Sequence, residues 1–330
     1  MLLSRPVTAA RGVVVASRNA NVATGAAGAA DAAELRELAA SGTGVDPQRL
    51  LVASTGVIGR RYPMDAIRDR LRGQWPPVGD WADFATAIMT TDTTAKLVRA
   101  QVGAASIVGV AKGVGMIEPN MATLLTFFFT DAEIEPVALR QLFGRVVDTT
   151  FNALSIDTDT STSDTAAVFA NGLAGPVELA DFETALHRVA LELVTLIARD
   201  GEGASKLLTV EVTGARDQVQ AKRVAKSVVN SPLVKTMAHG ADPNWGRVVM
   251  AVGKCEDDLD LDQDQIRVAI GGLGMYPQLP SDDELERLRT ELAGDTVAIS
   301  VDLGIGPATF TVYGCDLSAG YVHLNSSYTT

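Results

Sequence analysis

A threonine hydroxyl is a poor nucleophile until a base takes its proton. Residues 112–130, KGVGMIEPNMATLLTFFFT, set one where such a base could be made. Lys112 opens the stretch on a glycine-rich turn with Gly113 and Gly115, and Pro119 and Asn120 follow in an irregular segment. Ala122 and Thr123 then lead into Leu124, Leu125, Phe127, Phe128 and Phe129, a short apolar run that reads as a buried strand. Were the Ala122–Thr123 bond cut, Thr123 would gain a free α-amine with a pKa of roughly 7.7–8.0. That amine could act as base for its own hydroxyl. An ordinary β-branched residue at the mouth of a strand fits the same pattern.

Other residues could complete a site. The short strand at Leu50, Leu51, Val52 and Ala53 runs straight into Ser54, Thr55 and Gly56, a step that could aim a backbone N–H and a hydroxyl into a cleft. Glu202 stands between Gly201 and Gly203, a poor place to hold a carboxylate unless the backbone must bend there. His187 falls on an amphipathic helix, His239 in a glycine-rich loop and His323 in a last strand, and none belongs to a nucleophile motif. G-x-S-x-G is absent, GVG at 113–115 lacks the rest of a P-loop, and GVIG at 56–59 fails the dinucleotide spacing. Asp157, Asp159 and Asp164 lack the glycine and closing glutamate of a calcium loop and read as a tight, side-chain-bonded turn. Cys255 and Cys315 have no metal-ligand spacing, so no metal is expected. A catalyst here needs an unconventional base.

The elements that must position these residues alternate along the chain. Strands are predicted at 12–16 and 50–53, in two runs ending at Ala111, and near 207–212, 266–270, 296–302, 308–313 and 320–324. Helices are predicted from a cap at Asp31 to Ala40, then at 64–72, 81–89, around 139–147, and at 181–198, 216–229 and 281–292. NSPLVKTMAHGADPNWGR reads as a connection. The chain of 330 residues is 47% hydrophobic and carries a formal charge of −12, which suits a large packed core and argues against nucleic acid. Neither a signal peptide nor a membrane-spanning window is legible, so a cytoplasmic enzyme is expected.

AKGVGMIEPNMATLLTFFFTDA resembles the self-processing site of the ornithine acetyltransferase (glutamate N-acetyltransferase) family. SRNANVATG, STGVIG, IMTTDT, FNALSIDTDTSTSDT, DGEGASK, NSPLVKT, DPNWGR and the closing YVHLNSSYTT agree in order across nearly the whole chain. SIDTDTSTSDT and EPNMATLLTFF look most like the paralogues of clavulanic acid-type clusters. The resemblance implies an α/β protein with an α/β/β/α sandwich, of the type shared with β-peptidyl aminopeptidases. It implies self-cleavage into residues 1–122 and 123–330 and assembly as an (αβ)2 heterotetramer. Thr123 would be the nucleophile, and Thr55 with Gly56 the oxyanion hole. Thr90 or Thr91, Lys112, Glu202, Asn325 and Thr330 would contact substrate. The implied reaction moves the acetyl group of N-acetylornithine to glutamate in a ping-pong cycle without cofactor, acetyl-CoA entering only in a bifunctional enzyme. The family's members carry several dozen residues before the part matching LLSRPVTAARG, so residues 1–122 are short relative to the family, through a missed upstream start or a shortened variant. An amidase or aminopeptidase on the same fold, or a non-catalytic remnant, are the competing readings.

Overall fold

The computed structural model describes residues 4, 7, 9–72, 79–118 and 124–326. They form two compact units, one of Met1–Asn152 with Thr160–Leu193, the other of Ala153–Asp159 with Val194–Thr329.

The first unit is layered. Strands β1 (Gly12–Ala16) and β2 (Leu50–Ser54) pair in parallel and are joined through helix α1 (Gly25–Thr43). Val14 and Val52 point outward into Leu35, Tyr62 and Met64, which come from α1 and the start of α2 (Met64–Arg72). Val13, Val15 and Ala53 point the other way, against a second sheet. Helix α3 (Trp81–Ala87) adds Trp81 and Phe84 to that inter-sheet layer.

The second sheet has the order β3 (Lys96–Val102), β4 (Ala105–Lys112), β5 (Leu125–Glu133), β6 (Thr165–Pro176). β5 lies inside it, antiparallel to β4 and parallel to β6, so both its faces are covered and its sequence is continuously apolar. Leu125, Phe127 and Phe129 enter the inter-sheet core. Phe128 faces the opposite side, its ring 5.5 Å from that of Phe143 on α4 (Pro136–Thr149). Gly109 makes room there, since a Cβ would come within 2.7 Å of Val189 on α5 (Leu179–Arg199) and 3.0 Å of Phe128. Each buried phenylalanine contributes about 1.5–3 kcal/mol. The expected α/β/β/α order is therefore realised within this unit.

The second unit is one mixed sheet of order β11 (Ala308–Cys315), β7 (Leu207–Ala215), β10 (Thr296–Asp302), β8 (Arg267–Ile270), β9 (Leu273–Tyr276). Leu208, Val210, Val212, Val297, Ile299 and Val301 pack on helices α6 (Gln218–Val229), α7 (Pro232–His239), α8 (Trp245–Gly253) and α9 (Asp282–Leu292).

Three local expectations are corrected. NSPLVKTMAHGADPNWGR is not a plain connection but carries α7 and the start of α8, with Ser231 capping α7 through Val234 N–H. Both helices span little more than two turns, too few for a repeating apolar period to stand out. His239 accordingly ends α7 rather than lying in a loop. The run at 320–324 lies within helix α10 (Ala319–Ser326) despite strand-like residues, and the Ser318 hydroxyl accepts from Gly320 N–H at its start. Helix α1 begins six residues before the expected cap, and Asp31 is buried inside it, bound by Arg61 at 2.6 and 2.7 Å.

Candidate active site

Thr55 follows the last residue of β2, and its N–H donates to Ala16 O at 3.0 Å. Val57 N–H donates to Arg18 O at 3.1 Å. The Gly56 N–H between them has no acceptor among the described residues. Gly56 has φ +122°, and a Cβ there would lie 2.3 Å from the Arg18 carbonyl carbon, so only glycine lets the two chains meet. SRNANVATG and STGVIG, far apart in sequence, thus fold onto one another, with Asn19 bridged to Val57.

Lys112 ends β4, and its Nζ donates to Thr55 Oγ1 at 3.1 Å. A hydroxyl that accepts from a lysine keeps its own proton for a different acceptor. Thr55 O–H and Gly56 N–H are therefore two adjacent donors, the arrangement that steadies an oxyanion.

Lys112 is one of a buried set of charges. Asp92 Oδ1 accepts from Lys96 Nζ at 2.9 Å and from Gly113 N–H at 2.8 Å, while Oδ2 accepts from Thr90 N–H at 3.1 Å. Lys112 Nζ is 4.0 Å from that second oxygen. Burial alone would raise the Asp92 pKa, but Lys112, Lys96 and the Gly113 amide hold it below the ordinary carboxylate value. The turn carrying Thr90 and Thr91 is thus pinned to the lysine end of β4. Thr90 and Thr91 are both half-buried, and the bond to Asp92 uses the backbone of Thr90, leaving its hydroxyl out.

Asp164, just before β6, is buried too, and it accepts from Leu124 N–H. Burial pushes its pKa up to about 8, against the Leu124 amide and the charge of Lys112. Ala122 and Thr123 lie outside the described residues, but their neighbour Leu124 is fixed on both sides, because its carbonyl accepts from Thr165 N–H at 2.9 Å.

The other expected contacts belong to the second unit. Asn325 Nδ2 on α10 donates to Glu202 Oε2 at 2.9 Å and to Tyr321 O at 3.1 Å. Gly203, at φ +69°, lets α10 come close, since a Cβ there would sit 2.2 Å from Tyr321 N. Burial pushes the Tyr321 phenol up to about 12, helped by Asp157 and Glu202. Thr330 lies outside the described residues.

Thr55, Gly56, Lys112 and the Thr90–Thr91 turn are thus gathered in one unit, and Glu202 with Asn325 in the other. Asp92, Lys96 and Asp164 escape sequence reasoning as site residues. One signal was available for Lys96: in β3 it shares the inward parity of Val98, Ala100 and Val102, whereas Arg99 and Gln101 point out. Among the described residues no group of three His, Cys, Asp or Glu could hold a metal ion, and no helix is long and apolar enough to cross a membrane.

Known proteins are similar to this chain over most of its length. A glutamate N-acetyltransferase, Oat2, of Streptomyces clavuligerus is 59% identical over 328 residues, covering 97% of this chain and 84% of the relative. An arginine biosynthesis bifunctional protein, ArgJ, of Rhodococcoides fascians is 55% identical, with 98% and 81% covered. The crystal structure of an arginine biosynthesis bifunctional protein, ArgJ, from Bacillus halodurans matches with a TM-score of 0.57 at 39% identity, over 62% of this chain and 98% of that one. By these relatives the chain is an acyltransferase. The chain belongs to the ArgJ family, which it matches over residues 2–330, and so to arginine biosynthesis.

Proposed function

We propose that this protein moves the acetyl group of N-acetylornithine to glutamate through an acetyl ester on Thr123. The observation that carries the reading is the donor pair at residues 55 and 56, with the Gly56 N–H unspent among the described residues and the Thr55 hydroxyl accepting from Lys112. Thr123 Oγ first attacks the Ala122 carbonyl, and water opens the resulting ester. This gives residues 1–122 and residues 123–330, the latter beginning with a free amine. In turnover Oγ attacks the acetyl carbonyl, the amine takes its proton, and Thr55 and Gly56 hold the oxyanion. Ornithine leaves with that proton, and the α-amine of glutamate then takes the acetyl group.

Lys112 is suited to a substrate carboxylate, with the Thr90–Thr91 turn beside it. Glu202, oriented by Asn325, is suited to a substrate amine, and Thr330 completes the set by family resemblance. Both substrates are amino acids, so the cycle needs no cofactor, and acetyl-CoA is a second donor only in a bifunctional enzyme. The name of the Streptomyces relative, a glutamate N-acetyltransferase, favours transfer over hydrolysis. The Bacillus crystal chain supports the cut: nearly all of it is matched by 62% of this chain, close to the share that residues 123–330 make up. The working form is an (αβ)2 heterotetramer in the cytoplasm.

Denaturing electrophoresis tests the cut. The wild type should give two fragments meeting at Thr123, and Thr123→Ala one inactive band of 34.6 kDa. Complete processing of the alanine variant contradicts the assignment of the nucleophile.

A further inference from the structure

Glu202 is held by more than its flanking glycines and Asn325. Asp316, between β11 and α10, has a side chain that is 0% exposed. Its Oδ1 accepts from the N–H groups of Ser205 and Lys206 at 2.8 and 2.9 Å. Its Oδ2 accepts from Ser205 Oγ at 2.6 Å and from His239 Nδ1 at 2.7 Å. Burial alone would raise the pKa of this carboxyl, but those donors hold it below the ordinary carboxylate value. Asp316 is therefore an ionised acceptor, and charge-assisted bonds of this kind are roughly twice as strong as neutral ones.

Those bonds join three parts of the second unit. DGEGASK carries Glu202, the segment from Cys315 leads into α10 with Asn325, and α7 is formed by NSPLVKT and its continuation. Asp316 N–H donates to Lys206 O at 3.2 Å, and Ser318 Oγ donates to Gly203 O. Lys235 on α7 holds both neighbours of Asp316. Its buried side chain donates to Cys315 O at 2.6 Å, and its carbonyl accepts from Leu317 N–H at 3.4 Å. The hydrogen bonds within a helix make it move as one body, so α10 carries any shift at Asp316 to Asn325. Asn325 Nδ2 in turn meets Glu202 Oε2 at 2.9 Å. One carboxylate thus sets both partners of that contact, Glu202 through Ser205 and Lys206, and Asn325 through α10.

We propose that Asp316 is a positioning residue for substrate recognition: braced by His239 and Lys235 of α7, it fixes Glu202 against Asn325 so that the Glu202 carboxylate meets the amine of the acetyl donor. The proposal rests on the reading that Glu202 takes a substrate amine. In N-acetylornithine the acetylated nitrogen is an amide, so the free amine is the one on the side chain. Asp316 therefore acts on donor selection, and the acetyl transfer itself does not depend on it.

The test uses the full chain and two acetyl donors, N-acetylornithine and p-nitrophenyl acetate, a reactive ester with no amine. The readout is the ratio of their kcat/KM values. Asp316→Ala should lower that ratio at least about tenfold, mainly through the KM of N-acetylornithine, because a displacement of about 1 Å is enough to lose the contact. The ester reaction should stay within about twofold. Asp316→Asn keeps an acceptor oxygen for the two amides but not the charge, and should lower the ratio at least about threefold. In a Glu202→Gln background neither substitution should lower it further, as expected of residues that act through one another. Equal losses with both donors would make Asp316 general scaffolding and overturn the proposal. The same fold-loss with and without Glu202 would overturn it too. If the alanine variant does not fold, the asparagine variant decides alone by the same comparison. A Glu202→Gln enzyme with the wild-type ratio counts against the reading of Glu202 itself, and the proposal falls with it.

Discussion

Each unit contains a buried aspartate flanked by two cations, and the two sites differ in what they do with the charge. In the second unit Asp258 is held by Arg223 at 2.5 and 2.7 Å and by Arg216 at 3.3 Å, with both arginines 41–47% exposed. Planar, weakly hydrated guanidinium groups straddle the surface there and tie the 255–260 segment to α6. In the first unit Asp92 faces Lys96 and Lys112, whose side chains are 0% and 5% exposed. A lysine is a compact and strongly hydrated charge, so burying two of them beside one ionised carboxylate is unfavourable compared with an apolar filling. The Asp258 cluster reads as a surface clasp. The Asp92 cluster is buried and lies beside Thr55, where the proposed reaction would use Lys112 to meet a substrate carboxylate.

The contrast can be tested by removing one carboxylate at a time. Asp92→Asn should cost about 3–5 kcal/mol in a urea titration, because Lys96 is left buried without its counter-charge. Asp258→Asn should cost less, about 1–3 kcal/mol, since its arginines can turn to water. Equal losses would erase the distinction. Lys112→Met should lower kcat/KM by roughly 10²–10³ with little change in stability, as for loss of one oxyanion-hole or substrate-charge contact. Arg223→Met should leave kcat/KM within about twofold, a surface change away from the site. A Lys112→Met enzyme of normal activity would reduce both clusters to scaffolding.

A smaller effect separates Asp92 from Asp164. The Asp92 pKa is depressed, so its stabilisation is present above about pH 4 and is lost as pH falls below that value. Asp164 is the reverse, with a folded value of about 8 against an unfolded 3.8, so the native state holds a proton that the unfolded chain has released. Stability should therefore decline between about pH 4 and pH 8 through this residue. Asp164→Asn should flatten that decline in denaturation midpoints measured across the window. An unchanged slope would mean that Asp164 is ionised in the folded protein.

What could be read in the sequence followed local pattern. The apolar run of β5 and the long periods of α5 and α6 are visible without tertiary information. The same holds for the strand that delivers Thr55 and Gly56. Helices α7, α8 and α10, at 8 or 9 residues each, give too little period, and Tyr321, Val322 and Leu324 mimic a strand. The buried charges were hidden for a different reason. Asp92 meets Gly113 across 21 positions, and Asp164 meets Leu124 across 40. Within FNALSIDTDTSTSDT nothing distinguishes Asp164 from Asp157 or Asp159 until β6 places it beside β5. Sequence pattern shows which residues are apolar together, and it does not show which polar residues are buried together.

The central claim is that Thr123, freed at its amine, carries the acetyl group. Intact mass of the purified protein, before and after incubation with N-acetylornithine and without glutamate, tests it most directly. The account requires two fragments meeting at Thr123, the later one gaining one acetyl group and losing it when glutamate is added. One continuous polypeptide whose mass never changes would contradict it.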